Sequence, residues 1–257
     1  MKNILEIFGL VKPYIRIDSK ESLAQAAESM GVLPFFPNNI RGLSVEEMCV
    51  PGMLFGGNHY EGCWEWKGPV IRKRTTAYGK FFHRKAGFVS LDILPYFLGY
   101  RRCKYPIKEN STEEMLYEII RENDSLTSTE LKQLIFGGRK KRGWTDLPDS
   151  LMDNKKEEDN LIGGGYKKTK SKSLESPLQR LQMGGWIVIS NFEYKMTKQG
   201  ERYGWGVARY STPEILFGDI DISGDKITPE ESLSILIDRL KKIIPSASKK
   251  SLSLLLR

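Results

Sequence analysis

A chain of 257 residues has room for one large domain or two small ones, and its 40% apolar content is ordinary for a soluble globular protein. No apolar run approaches the roughly 20 residues needed to span a bilayer. The net charge of +8 is concentrated in two blocks: residues 63–104 hold ten Lys/Arg against Glu65 and Asp92, and residues 137–172 hold ten against six acids.

The first residues, "MKNILEIFGLVKPYIRI", contain a short apolar stretch broken by Glu6 and no small-residue cleavage site, so no signal peptide is expected. "DSKESLAQAAESMG" reads as a helix capped by Asp18 or Ser19 and ended by Gly31. "VLPFFPNNIRG" breaks regular structure, "SVEEMCV" starts a short helix at Ser44, and "PGMLFGGNHYEG" is glycine-rich loop. Aromatic and β-branched residues place strands at 69–74 and 79–89. A helix capped by Ser90 follows, limited or kinked by Pro95.

In the second half, residues 111–123 put Met115, Leu116, Ile119 and Ile120 on one helical face. Asp124-Ser-Leu makes a turn, and Thr127 with Glu130 forms a capping box opening a helix that closes on Gly137-Gly138. The charged stretch 139–172 has a composition that does not require regular structure. "SLESPLQRLQMGG" is a third helix, and "WIVISNFEYKMTK" and "RYGWGVARYST" are strands joined around Gln199-Gly200. Three helices and a two-stranded ribbon are the order of a winged helix. Thr228, Pro229 and Glu231 then open a helix whose stripe from Leu233 to Ile244 packs on the body, and a last short helix ends the chain.

Two of these stretches resemble a known family. "SPLQRLQMGGWIVISNFEYKMTKQGERYGWGVARYSTPE" is similar to the winged-helix segment of the AlkZ-related proteins, bacterial relatives of the AlkZ-type winged-helix DNA glycosylases. "WEWKGPVIRKRTTAYGKFFHRKAGFVSLDILPYF" resembles the same family's Trp-x-Trp-Lys segment, its Tyr-Gly-Lys and its Ser-Leu-x-x-x-Pro helix. The likeness runs from about residue 20 to the C-terminus. It implies winged helices that cradle DNA. The glycosylases also carry a Gln-x-Gln or Gln-x-Asp pair that positions the attacking water. Pro34 and Phe36 stand where that pair would fall, and Asn38 and Asn39 do not match its spacing.

The expected fold is therefore α+β. An N-terminal α/β module (1–107), read also as a degenerate winged helix, carries a basic hairpin. A winged helix-turn-helix domain (108–212) carries the insertion 139–172, and a C-terminal helical segment covers 213–257. The expected function is binding of double-stranded DNA in the cytoplasm, largely through charge. Lys67, Arg72, Lys73, Arg74, Lys80, Arg84 and Lys85 supply the hairpin's cations, interleaved with aromatics. On the third helix, Gln179, Arg180 and Gln182 are candidates for base edges, or simply face water. Lys195, Lys198 and Arg202 on the wing suit phosphates. Lys167, Lys168, Lys170 and Lys172 form either a basic arm or a tolerated loop.

Glu65, between Trp64 and Trp66, is the one candidate catalytic carboxylate. Strand alternation would put the tryptophans on one face and Glu65 on the other, which points to a salt bridge with the basic run. Three widely spaced cysteines predict no disulfide framework and a reducing compartment. His59, Cys63, His83, Cys49 and Cys103 lack the paired spacing of a metal site, and no cofactor is expected. "GGRKKRG" and "IGGGYKK" lack the strand-before, helix-after context of a phosphate loop. Two other readings stay open: a glycosylase with a rebuilt site near Glu65, and a winged helix that binds protein.

Overall fold

The computed structural model describes residues 15–57, 61–136, 173–200, 202–218 and 227–257. The insertion 139–172, with Lys167, Lys168, Lys170 and Lys172, and His59 lie outside the described residues. Helix α1 (Lys20–Ser29) opens on a capping box, in which Ser19 and Ser22 exchange side-chain bonds with each other's backbone N–H. It buries Leu23, Ala26 and Ala27. Strand β1 (Val32–Pro34) follows, and Ser44 caps the short helix α2 (Val45–Met48).

The next element departs from expectation. Residues 69–74 do not form a strand; Cys63–Arg72 is one helix, α3. Its buried residues include Cys63, Trp66, Lys67, Val70 and Ile71, spaced at the helical i, i+3, i+4, i+7, i+8. The period is hidden in the sequence by Pro69, which breaks helices in general, and by the β-branched Val70-Ile71 pair.

The strand expected at 79–89 is a hairpin of β2 (Thr76–Phe82) and β3 (Lys85–Ser90). His83 and Arg84 turn it with φ of 49° and 68°, the sign a tight two-residue hairpin turn requires. Gly87 lets the strands close up, because a Cβ there would lie 2.5 Å from the Phe82 ring and 2.7 Å from the Leu33 carbonyl. Ser90 ends β3 rather than capping a helix. Helix α4 (Leu94–Lys104) starts later, with Pro95 in its first turn, where the missing N–H costs nothing.

Helix α5 (Thr112–Glu122) is followed by β4 (Leu126–Thr127), α6 (Ser128–Phe136), α7 (Glu175–Met183), β5 (Val188–Met196) and β6 (Arg202–Ser211). The expected box at Thr127 and Glu130 is present. Helices α8 (Pro213–Phe217), α9 (Pro229–Ile243) and α10 (Lys249–Leu255) complete the chain. Among the described residues the fold is mixed α/β with two small antiparallel sheets, ordered β1-β3-β2 and β4-β6-β5.

Two cores form. The smaller joins α5, α6 and α7 through Leu116, Ile120, Leu131, Leu178 and Leu181. The larger takes in α1, the first sheet, α3 and α4, together with Val188 and Ile189 of β5 and Leu236, Leu240, Leu252 and Leu255 of the last helices. Arg101 of α4 is fully buried and ties these parts together. It donates to the carbonyls of Met183 (2.6 Å), Leu256 (2.9 Å) and Phe81 (2.8 Å), with its guanidinium 4.7 Å from the Tyr105 ring. Burial pulls its pKa down to about 10, still far above neutrality, so the group stays charged.

Candidate nucleic-acid interface

The geometry reassigns the Trp-Glu-Trp-Lys segment. On a helix, residues two apart diverge by about 200°. Trp66 is therefore buried, while Trp64 sits half-buried in an aromatic group with Phe35, Phe36, Phe55 and Trp205 at centroid distances of 5.4–6.2 Å. Glu65 occupies the third helical position, and its Oε2 accepts the Gly62 N–H at 3.0 Å. This carboxylate caps the helix, and no ion pair between it and the basic run occurs among the described residues.

Lys67 points inward. It is 3% exposed, donates to the Trp64 carbonyl at 2.5 Å, and lies 3.7 Å from the Trp64 ring centroid and 4.7 Å from that of Phe192. Burial lowers its pKa to about 8, against the opposing pull of Glu65. Gln182, 1% exposed, is likewise internal: it accepts the Lys80 N–H at 3.1 Å and donates to Leu178 O at 3.2 Å. Lys67 and Gln182 thus leave the set of surface groups. Gln179 is half-buried, with its amide toward the Arg84 carbonyl, because α7 packs across β2. Arg180 is exposed and pairs with Glu113 at 3.3 Å.

The remaining cations fall into separate groups. Arg84 and Lys85 are exposed at the β2–β3 turn, and half-buried Lys80 lies within that hairpin's bulge. Arg72, Lys73 and Arg74 are exposed where α3 ends. Arg72 donates to Asn191 Oδ1 of β5 at 3.1 Å, and neither Lys73 nor Arg74 has an ion-pair partner among the described residues. Beside them opens a cleft of about 580 Å³, whose lining includes Arg72, Arg74, Asp124, Ser190, Asn191 and Arg209. Arg209 is held at the cleft by Ser125, Glu130 and Glu193, which balance its charge. Neither Arg72 nor Arg74 has an ion-pair partner among the described residues, and they share the cleft with the Asp124 carboxylate and with hydroxyl and amide groups that can bond anion oxygens.

Along the same β5–β6 hairpin, Lys195, Lys198 and Arg202 are exposed toward its tip. Arg202 pairs with Glu61 at 3.4 Å and stacks on Tyr194 at 5.0 Å. Sequence reasoning missed Arg209, Ser125, Ser190 and Asn191, because only sheet pairing brings 125, 190 and 209 together. It also missed Arg101, for which nothing in the local sequence signals burial. Trp205 stood between two glycines in plain view, without a reason to single it out.

Among the described residues no cluster of three or more His, Cys, Asp or Glu could hold a metal ion, and no helix is long and apolar enough to cross a membrane. What the described residues define is a mixed α/β protein with small antiparallel sheets and a cleft between the end of α3 and the β4-β6-β5 sheet. The chain belongs to the AlkZ-related family, whose model matches residues 17–257, and is through it related to DNA-glycosylase-like proteins. No curated protein and no solved structure matches it.

Proposed function

We propose that the protein binds double-stranded DNA, with the unit from α5 to β6 acting as a winged helix and β5–β6 as its wing. The observation that carries this is the pair of arginines without ion-pair partners, Arg72 and Arg74, which outnumber the single carboxylate, Asp124, of a cleft otherwise lined there by hydroxyl and amide groups and the balanced Arg209. Two guanidiniums flanking Ser190 and Asn191 match successive phosphate oxygens in charge and hydrogen-bonding sense. The helix that would read bases, α7, has Gln182 buried against β2, so binding is driven by the DNA backbone rather than by that helix. Pro34 and Phe36 supply no group that could orient water, and the Glu65 carboxylate is occupied as a cap. The reading is accordingly binding without the Gln-x-Gln chemistry.

Fluorescence anisotropy with a labelled duplex across a salt series tests it. Affinity should fall steeply with salt, and Arg72→Ala/Arg74→Ala should flatten the log–log slope by about 0.9 for each phosphate that the variant no longer neutralises. Absence of binding at low salt, or binding indifferent to salt, would refute it.

A further inference from the structure

The β5–β6 hairpin carries a second feature that backbone phosphates do not explain. Between the pairs Glu193↔Val207 and Lys195↔Tyr203, the single residue Tyr194 of β5 faces three residues of β6, Gly204, Trp205 and Gly206. This is a bulge, which re-aims a side chain out of the regular pleat. Gly204 makes it possible with φ of 74°, and a Cβ built there would meet nothing within 4 Å. Gly206 is equally constrained, since a Cβ there would lie 2.9 Å from the Tyr194 ring.

The bulge delivers Trp205 to the surface with 75% of its area exposed. The ring does not hang free: it meets Trp64 edge-to-face, at 6.0 Å between centroids and 89° between planes. Phe55, 56% exposed, packs on the same Trp64. The same hairpin carries the exposed cations Lys195, Lys198 and Arg202, the last of them paired with Glu61. A large aromatic ring, oriented by one aromatic neighbour and carried on a hairpin with exposed cations, has the chemistry of a stacking platform for a nucleobase. The phosphates on either side of that base meet the lysines and the arginine. A base still stacked in a duplex does not present its face to such a ring, so the occupant is an unpaired nucleotide.

We infer that Trp205 stacks on an unpaired base of single-stranded or locally opened DNA, while the cations of the hairpin hold the flanking phosphates. This rests on the DNA-binding reading above and extends it from duplex to strand-separated sites. The test is anisotropy with fluorescein-labelled dT15 and a 15-base-pair duplex, for the wild type, Trp205→Ala, Trp205→Phe, and the triple variant Lys195→Ala/Lys198→Ala/Arg202→Ala. Trp205→Ala should weaken dT15 binding about 5- to 150-fold with the salt slope unchanged, because stacking releases no counterions. Trp205→Phe should recover most of the loss. The triple variant should flatten the slope by about 0.7 for each phosphate left unneutralised. Wild-type affinity of Trp205→Ala for dT15, with salt-dependent duplex binding intact, would overturn this inference alone. Failure of the wild type to bind either oligonucleotide would overturn both readings. Because Trp205 is exposed, Trp205→Ala should keep the wild-type circular dichroism, and a variant that does not is replaced in the comparison by Trp205→Phe against Trp205→Leu. In that comparison, equal dT15 affinities overturn the inference and weaker binding by the leucine variant upholds it.

Discussion

At the residue scale, the buried Lys67 makes the clearest prediction. Its folded pKa of about 8 lies below the ordinary lysine value, so between about pH 8 and 10.5 the unfolded chain binds more protons than the folded one. This group's contribution to stability therefore rises with pH through that window and is lowest below it, where the ammonium is charged inside the fold. Tyr78 acts in the opposite sense at high pH, since burial raises its pKa, so the comparison has to be with a variant. The stability of the wild type relative to Lys67→Met should increase by about 1–3 kcal/mol from pH 7 to pH 10, read from urea midpoints. A difference constant with pH would show that the amine is not desolvated.

Cys49 and Cys63 make a second residue-scale prediction. They are free thiols 14 positions apart in sequence, with Sγ atoms 2.9 Å apart. Burial pushes both pKa values up, so thiolate is scarce and oxidation near neutrality should be slow. Prolonged treatment with a diazene oxidant such as diamide should remove two of the three thiols from a thiol titration and yield a cross-linked Cys49–Cys63 peptide. Retention of all three thiols would contradict the proximity.

At the element scale, the β2–β3 turn is built from two residues unsuited to its backbone. His83 and Arg84 both hold positive φ, a conformation that costs a non-glycine residue about 1–2 kcal/mol. His83→Asn/Arg84→Gly gives the turn the pair its geometry prefers, and should raise stability by roughly 1 kcal/mol in urea melts. An unchanged or lower midpoint would show that the His83 bond to the Leu254 carbonyl, 2.9 Å long, outweighs the strain. Helix α3 is the complementary case. Its Glu65 cap and buried period were both written in residues 62–71, but Pro69 and two β-branched residues pointed to a strand. Local propensity misled because tertiary burial of Trp66, Val70 and Ile71 repays the missing hydrogen bond.

At the scale of the whole molecule, Arg101 is the joint. Its three carbonyl partners come from β2, from the end of α7 and from the last turn of the chain. Replacing it with methionine keeps much of the packing but strands these acceptors in the core, at a cost of about 3–5 kcal/mol. Because the larger core draws on both sheets and the C-terminal helices, the loss should appear as one lower midpoint with an unchanged slope. Separate transitions by far-UV circular dichroism and tryptophan fluorescence would argue against a shared core.

The sequence by itself determined the capped helices α1, α5, α6 and α9 and the β5–β6 ribbon, because caps, glycines and hydrophobic periods are local signals. It also located the concentration of positive charge and the family likeness. Only the tertiary structure decided which polar groups face solvent. Lys67 and Gln182 have the sequence signature of surface residues, yet packed elements bury both, and Arg101 reads locally as one more cation. The cleft was equally invisible, because Ser125, Ser190 and Arg209 meet through strand pairing and Arg72 joins them only by packing of the end of α3 on β5, across more than 130 residues of chain. Burial and convergence are properties of long-range packing, and a linear pattern carries only the part of them that repeats with the period of a helix or a strand.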